Sequence, residues 1–300
     1  MPRRRSLATQ EALTGFLLVL PALVVLGMFI YRPLADTFML AFTDWNMVRT
    51  ERTYVGLANF QEMAGSATIR RALLNTGWYV VWLVALLIIF PLFVSSGFTV
   101  IGRRARRFFS GVIFAPMVIS LGIASILWLW IYNPISGLSG AVWRELGWAP
   151  VSWLSNPSTV LGAIAVIVAW KAFGYNMILF IAGMGTIPRE IIDAARVDGA
   201  DGVRLWRYVV LPLLGPTVVF VLFATMAMAT EYVFTPIHVL TGGGPNDAST
   251  NIVFEIWRQA FRWFRVGYAS AIALAVFALF LAITVIQMRG SEKVVSYEER

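Results

Sequence analysis

The chain has 300 residues, of which 59% are apolar and 13% are charged, and its mean hydropathy is +0.74. Soluble domains are about 45–50% apolar and about 25% charged, so the composition excludes soluble, disordered and collagen-like chains and predicts an integral membrane protein. The net charge of +8 would suggest nucleic acid in a soluble protein, but here the basic residues must first be placed relative to a membrane. With no cysteine and one histidine, His238, the chain has neither a thiolate nor a paired-histidine metal site.

Six apolar stretches are long enough to cross a bilayer, which takes roughly 20 helical residues. They predict spans at about 13–32, 73–96, 109–131, 159–183, 213–235 and 268–288. The expected architecture is an all-α polytopic membrane protein with a tail at 1–12, a transmembrane domain at 13–288 and a second tail at 289–300. Arginine clusters in short connections, at Arg3–Arg5 and Arg103–Arg107, mark the cytoplasmic side. Both termini are therefore predicted to be cytoplasmic.

Polar residues inside the predicted spans are candidates for contact with a transported solute. Lys171 lies near the middle of the fourth span, where a charge usually faces the bundle interior, and a cation there suits a phosphate group. The alternative is that Lys171 pairs with Glu231 or extends toward the membrane surface. Ordinary helix packing is the alternative for Tyr175 and Asn176. The full candidate pathway consists of Trp170, Lys171, Tyr175, Asn176, Glu231 and Tyr232.

The predicted inner loop 184–212 carries four arginines and four acidic residues, so its charges cancel. A loop that lies on anionic lipid would be mainly basic, and a neutral loop of mixed charge is better suited to a protein partner. Thr186 is the candidate N-cap of a short helix with Pro188 at an early position, and Gly199 is the glycine expected just beyond its end. Asp201 is the candidate N-cap of a second short helix. The alternative is an ordinary structured loop without a partner.

This loop resembles the EAA loop of ABC importer permeases, which reads E-A-A, three residues, G, nine residues and I-x-L-P. Here Asp193-Ala194-Ala195 is followed at the same spacing by Gly199 and by Val209-x-Leu211-Pro212. The departures are Asp for Glu and Val for Ile. Further segments are similar to the carbohydrate-uptake branch of that family, the maltose and glycerol-3-phosphate type: LPA at 20–22, FTDW at 42–45, VGLANF at 55–60, LNT at 74–76, LTGGGP at 240–245 and GYASA at 267–271.

The resemblance implies a type I ABC importer permease fold with a cytoplasmic coupling helix, in a prokaryotic inner membrane. It also implies a non-catalytic chain that binds no cofactor, with ATP and Mg²⁺ used by a separate ATPase, and no Walker A sequence occurs in this chain. The implied partners are a second related permease, two copies of the ATPase, an extracytoplasmic solute-binding protein and membrane lipid, with no nucleic acid. The implied ATPase-coupling residues are Glu190, Asp193, Ala194, Ala195, Asp198, Gly199, Leu211 and Pro212.

Two questions stay open in the sequence. Within the branch, the residues around Lys171 and the tail from Gln287 to Tyr297 lean toward the glycerol-3-phosphate (glycerophosphodiester) permease of the A-subunit type, while maltose-like, trehalose and other oligosaccharide solutes remain alternatives. A membrane transferase is the alternative class, because Asp198 and Asp201 resemble the aspartates by which prenyl- and CDP-alcohol transferases hold Mg²⁺. The further aspartates of those enzymes do not follow in the sequence, and His238 has no second ligand at metal spacing.

Overall fold

The computed structural model describes residues 3–98 and 101–295, and helices dominate them. Tyr297, part of the tail segment noted above, lies outside the described residues. Two short strands, Thr43–Asp44 and Thr53–Tyr54, pair antiparallel with Thr43 opposite Tyr54. The α-helices are Arg3–Leu26, Arg32–Leu40, Ala58–Gly65, Ala67–Val84, Phe90–Gly97, Arg103–Phe114, Leu121–Ile131, Leu138–Glu145, Val160–Gly185, Arg189–Val197, Gly202–Leu205, Leu211–Leu213, Gly215–Tyr232, Phe234–Pro236, Ile252–Trp257 and Val266–Val295.

Wider, π-helical turns join several of these helices into longer continuous stretches. Such turns are usually single-turn insertions into α-helices and occur frequently at functional sites. They are Gly27–Tyr31, Ala85–Ile89, Trp206–Val210, Ile237–Thr241 and Arg258–Arg262.

Five helical stretches are long and apolar enough to cross a membrane. Each overlaps one of the predicted spans, and we number them by that order. The first, second, fourth, fifth and sixth spans are Ala12–Leu40, Ala67–Gly97, Val160–Gly185, Gly215–Thr241 and Val266–Gln287. The first helix starts at Arg3 and the last continues to Val295, so the described parts of both predicted tails are helical.

The predicted third span, a single helix over 109–131, is wrong as a continuous helix. Instead, a helical stretch Arg103–Val118 and a helix Leu121–Ile131 meet at an angle of 101°. Pro116, in the 3₁₀ turn that ends the first of them, has no N–H to give to the helical ladder. Ile119 is extended (φ −72°, ψ 137°), and the Ser120 side chain then caps the second helix by accepting from the Ile123 amide. Hydropathy counts apolar residues and does not register such a break.

The chain divides into two compact units, one of which contains Ser66–Glu255 and the chain from Phe280 onward. Its core at the end next to loop 184–212 consists of Ile88, Leu92, Phe180, Leu214 and Val221, which come from the second, fourth and fifth spans and the turn just before the fifth. At Gly174 the fourth span lies directly against the backbone of helix Arg103–Phe114, because an added Cβ would overlap the Ile113 carbonyl.

The other unit contains the chain up to Gly65 together with Ile256–Leu279. Its hairpin is held by Asn59, whose side-chain amide donates to the carbonyls of Ala41 (2.9 Å) and Thr43 (3.0 Å). Arg265 donates to the Glu62 carboxylate at 2.6 Å, and this hydrogen bond raises the pKa of the Arg265 guanidinium above its usual value. Asn59 of the VGLANF segment therefore binds the backbone beside and within the FTDW segment.

Candidate functional site

Loop 184–212 folds as two short helices that lead into the fifth span. The first is Arg189–Val197, and the second, Gly202–Leu205, continues through the wide turn Trp206–Val210 into the short helix Leu211–Leu213. The two-helix arrangement matches the expectation from the sequence.

The beginning of the first helix differs from the prediction. Thr186 is not its N-cap, because its hydroxyl donates to the Gly183 carbonyl at 2.8 Å and the residue ends the fourth span instead. Pro188, with φ −60° and ψ 136°, occupies the extended position just before the helix. Glu190 lies in the first turn, where a carboxylate interacts favourably with the positive end of the helix dipole.

The end of the first helix is fixed by Gly199, as its position in the sequence indicated. Gly199 has φ +81°, a left-handed conformation that favours glycine. The Gly199 amide donates to the Arg196 carbonyl (3.0 Å) and the Ala200 amide to the Ala195 carbonyl (2.9 Å), which is the hydrogen-bond pair of a Schellman motif. Asp201 then lies at the N-cap position of the second helix in an extended conformation, without a side-chain bond to that helix.

The first helix presents a mixed polar and apolar surface to its surroundings. Glu190, Asp193, Ala194 and Asp198 are exposed, and Val197 exposes 87% of its surface. The salt bridge between Arg196 and Asp193, at 3.4 Å, is itself exposed and therefore contributes little to stability. The helix thus offers another protein an accessible surface of mixed charge with two exposed apolar residues, Ile191 and Val197.

The two ends of the loop are attached to the core of the unit that contains Ser66–Glu255. Ile187 and Leu211 pack against the Ile88, Leu92, Phe180, Leu214 and Val221 cluster, whereas Pro212 stays exposed. Trp206, which sequence reasoning did not select, packs against the same cluster and donates its indole N–H to the Ser96 hydroxyl at 2.7 Å. Trp206 lies within the EAA-like pattern, but nothing in the sequence indicates that it bonds to Ser96, 110 residues away.

Lys171 contacts the broken third span. The residue is 8% exposed, and its ammonium group donates to the Met117 carbonyl at 2.8 Å. Met117 lies in the 3₁₀ turn just before the break, where carbonyls lose their helical partners. Glu231, the partner suggested by the sequence, is exposed at the end of helix Gly215–Tyr232.

Asn176 connects three spans and has no exposed surface. Its side-chain amide donates to the Leu87 carbonyl (2.7 Å) in the wide turn of the second span and to the Thr225 hydroxyl (3.1 Å) in the fifth. Trp170 makes an edge-on ring contact with Trp128, with centroids 5.8 Å apart. The six pathway candidates thus contact different neighbours, and Trp170, Tyr175, Glu231 and Tyr232 are the ones with exposed or partly exposed surface.

A polar network at the predicted outer end of the second span was also missed. The Asn75 amide group lies within hydrogen-bond distance of the carbonyls of Asp247 (3.0 Å), Ala248 (3.2 Å) and Thr250 (2.9 Å). The Tyr79 hydroxyl donates to the Ser249 carbonyl at 2.9 Å. The segment after the triple glycine is thus bound by side chains of the second span, and the LNT and LTGGGP patterns are parts of one arrangement.

A cavity of about 460 Å³ opens beside this segment. Its lining is uncharged and combines aliphatic, aromatic and polar residues, with Leu129, Tyr132, Trp153, Asn133 and Thr241 among its members. Burial raises the pKa of the Tyr132 hydroxyl, which donates to the Ala163 carbonyl at 3.0 Å, so this group stays a protonated donor at neutral pH.

The sequence matches the family model of the binding-protein-dependent transport system inner membrane component over residues 88–293. The chain belongs to this family. The permease is 30% identical to the probable ABC transporter permease protein YurN of Bacillus subtilis (strain 168), with 94% of this chain and 97% of the relative aligned. It is 31% identical to the sn-glycerol-3-phosphate transport system permease protein UgpA of Brucella abortus biovar 1 (strain 9-941), with 94% and 96% aligned.

The fold of the permease is also that of solved ABC importer structures. It superposes on a chain of a bacterial ABC transporter involved in the import of the acidic polysaccharide alginate with a TM-score of 0.84, at 20% identity, covering 97% of this chain and 99% of that one. A bacterial alginate ABC transporter in complex with an alginate pentasaccharide-bound periplasmic protein gives 0.82, at 21% identity and 95% and 96% coverage. The predicted importer-permease fold and the inner-membrane location are confirmed.

Proposed function

We propose that this permease is one of two related membrane subunits of an ATP-driven importer, and that loop 184–212, the coupling loop, receives the ATPase. The observation that carries the proposal is the exposed helix Arg189–Val197, closed by the Gly199 turn and attached at both flanks to the membrane core. Because this helix is exposed to a partner while its flanking residues pack against the spans, a movement of the partner can be passed on to the spans. The chain supplies no ATP-hydrolysing site, so ATP and Mg²⁺ belong to the partner.

The proposed cycle follows from this placement. Two copies of the ATPase hold the coupling loops of the two permeases, and a solute-binding protein delivers solute to the outer loops. When ATP closes the ATPase dimer, the coupling loop moves with it and the spans tilt to an outward-open state, and hydrolysis resets them. The coupling residues proposed are Glu190, Asp193, Ala194, Ala195, Asp198, Gly199, Leu211 and Pro212.

The solute is proposed to be a sugar or a glycerol-phosphate compound. The name of the Brucella relative supports the second class, and the uncharged lining of the 460 Å³ cavity, with its aromatic and polar residues, supports hydroxyl-rich solutes at the outer end. Among the pathway candidates, Trp170, Tyr175, Glu231 and Tyr232 keep accessible surface, whereas the contacts of Lys171 and Asn176 support a role in joining spans. Equilibrium binding of glycerol 3-phosphate and of maltose to the solute-binding protein that supports uptake through this permease separates the two classes.

The transferase alternative has no support from the family. Asp198 and Asp201 lie in the coupling loop, where Asp198 ends one helix and Asp201 precedes the next. Both are exposed, and their positions are explained by the helix ends.

The coupling role is tested by charge reversal and by blocking the Gly199 turn. Asp193→Lys should weaken docking, and Gly199→Asp should distort the end of the docking helix, because an L residue at φ +81° is strained. In the transporter reconstituted with its own ATPase, each change should lower solute import per ATP hydrolysed by about tenfold or more, since an effector's coupling to a second site is typically about 5–150-fold.

Matched controls lie in the loop between the third and fourth spans. Glu145→Lys makes the same charge reversal at an exposed helix position, and Gly147→Asp imposes the same strain at an exposed glycine with φ +75°. Both controls should leave import per ATP unchanged. Import that stays fully coupled in both coupling-loop variants would show that this loop is not where the ATPase acts.

A further inference from the structure

Trp206 connects the coupling loop to the second span by side-chain contacts. Its indole N–H donates to the Ser96 hydroxyl at 2.7 Å, and its ring stacks on Phe93 with centroids 5.4 Å apart and planes 18° from parallel. Ser96 and Phe93 both lie in helix Phe90–Gly97. The coupling loop is joined covalently to the fourth and fifth spans, and Trp206 adds a non-covalent joint to the second.

The orientation of the Trp206 indole is fixed by its hydrogen bond to Ser96 and its stacking on Phe93. The Ser96 hydroxyl that accepts from Trp206 also donates to the Leu92 carbonyl at 2.8 Å, so the hydroxyl is oriented by the helix on which it stands. The stacked ring of Phe93 restricts the remaining rotation of the indole. Trp206 itself begins the wide turn Trp206–Val210, where the helical ladder is locally opened and a large side chain can be redirected.

The second span is itself divided by a wide turn at Ala85–Ile89. In this turn the Leu87 carbonyl accepts from Asn176 of the fourth span at 2.7 Å. Helix Phe90–Gly97, which carries the Trp206 joint, lies on one side of the turn and helix Ala67–Val84 lies on the other. A local break of this kind is a natural place for bending, and Asn176 holds its position.

The far end of the second span is bound to the outer loop. Asn75 and Tyr79 hold the carbonyls of residues 247–250, and the Thr76 hydroxyl accepts from the Ile252 amide at 3.0 Å. The second span is therefore hydrogen-bonded to the coupling loop at one end and to the segment after the triple glycine at the other.

We propose that Trp206 is a positioning residue of the transport cycle, through which the second span carries movement of the coupling loop to the outer loop segment 246–252. This inference rests on the proposed function, since it assumes that the coupling loop is moved by the ATPase. Coupling along a span requires two positions that each bias the same two-state element. Here the element is the second span, and the two positions are its hydrogen bonds from Trp206 to Ser96 and from Tyr79 to the Ser249 carbonyl.

The inner joint is tested by two conservative changes. Trp206→Phe keeps an aromatic ring for the stack and removes the N–H, and Ser96→Ala removes the acceptor. Each should lower solute import per ATP hydrolysed about three- to tenfold, the range expected for loss of one partly buried hydrogen bond. The double variant should be no worse than either single variant, because all three lack the same bond. Trp130→Phe is the matched control, since Trp130 is 74% exposed.

The route along the span is tested by combining Trp206→Phe with Tyr79→Phe, which removes only the hydroxyl bound to Ser249. If both act through the second span, the loss in the double variant is smaller than the product of the two single losses. Losses that simply multiply would overturn the route. A purely structural role for Trp206 would lower the amount of folded transporter while import per ATP stayed normal, and this result would overturn the proposal as well.

The outcomes separate this inference from the proposed function. If Gly199→Asp uncouples import while Trp206→Phe and Ser96→Ala do not, the ATPase docks on the coupling loop and the route through the second span is wrong. If Asp193→Lys, Gly199→Asp, Trp206→Phe and Ser96→Ala all leave import coupled, both proposals fail. Should Trp206→Phe fail to assemble, Ser96→Ala alone decides the inner joint, because it changes one small side chain.

Discussion

Lys171 is a charged side chain placed in the interior of a span, where a charge costs about 2.5–3.5 kcal/mol on insertion scales. The cost is offset at least in part by its bond to the Met117 carbonyl, 2.8 Å away at the break in the third span. This contact accounts for the position of the charge without a solute. The same holds for Asn176, whose amide joins Leu87 and Thr225.

We expect Lys171→Met to lower uptake of a phosphorylated solute and of a neutral sugar by the same factor. The reason is that the variant frees a carbonyl at the break and does not remove a solute contact. Lys171→Gln, which keeps N–H donors without the charge, should retain more uptake than Lys171→Met. Initial uptake rates in cells, normalised to the amount of permease in the membrane, give the comparison. A loss confined to the phosphorylated solute in both variants would instead assign the charge to solute binding.

Helix ends illustrate what residue-scale sequence signals determine. Gly199 was placed correctly because a left-handed turn after a helix is a local demand that favours glycine. Thr186 was placed wrongly because a threonine can serve the helix before it as well as the one after it, and here its hydroxyl bonds back to Gly183. Local capping residues predict that a boundary is near, but they do not fix which of two helices uses them.

At the scale of elements, apolar length predicted where helices run and failed to predict where they bend. The break in the third span was signalled by Pro116 and Ser120, yet a stretch without charged residues reads as one helix when only hydropathy is counted. The partners of Trp206, Lys171 and Asn75 lie between 54 and 175 residues away in sequence. No periodicity or motif in a single sequence specifies such pairs, because they depend on how the spans pack.

The close approach of helix Arg103–Phe114 to the fourth span provides a test of that packing. At Gly174 an added Cβ would overlap the Ile113 carbonyl and the Phe114 backbone, so Gly174→Ala should push the two elements apart at a cost of about 1–3 kcal/mol. The midpoint of thermal unfolding of the purified permease in detergent should fall accordingly.

Gly77→Ala is the matched comparison for this prediction. Gly77 is also inside a spanning helix, but nothing lies within 4 Å of its added Cβ, and alanine favours a helix over glycine by about 1 kcal/mol. Its unfolding midpoint should be unchanged or higher. Equal midpoints for the two variants would contradict the close contact at Gly174.

At the scale of the whole molecule, the net charge of +8 is better understood as orientation in a membrane than as affinity for nucleic acid. Arginine clusters in short loops are the signal that fixes orientation. The coupling loop is an exception, with positive and negative charges that balance, which suits a segment that contacts a protein. Charge therefore has two roles in this chain. An excess of arginine in short loops orients the protein in the membrane, whereas the balanced charges of the coupling loop suit the proposed contact with a protein.

The absence of cysteine from the sequence makes the orientation directly testable, because an introduced thiol is the only one present. Val197→Cys lies on the coupling-loop helix and Ile135→Cys lies between the third and fourth spans, at residues that are 87% and 82% exposed. In spheroplasts, a membrane-impermeant maleimide should label Cys at 135 at once and Cys at 197 only after permeabilisation, while the unmodified chain gives no label. Immediate labelling at 197 would place the coupling loop outside the cell, where no ATPase could reach it, and would invert the assignment of every loop.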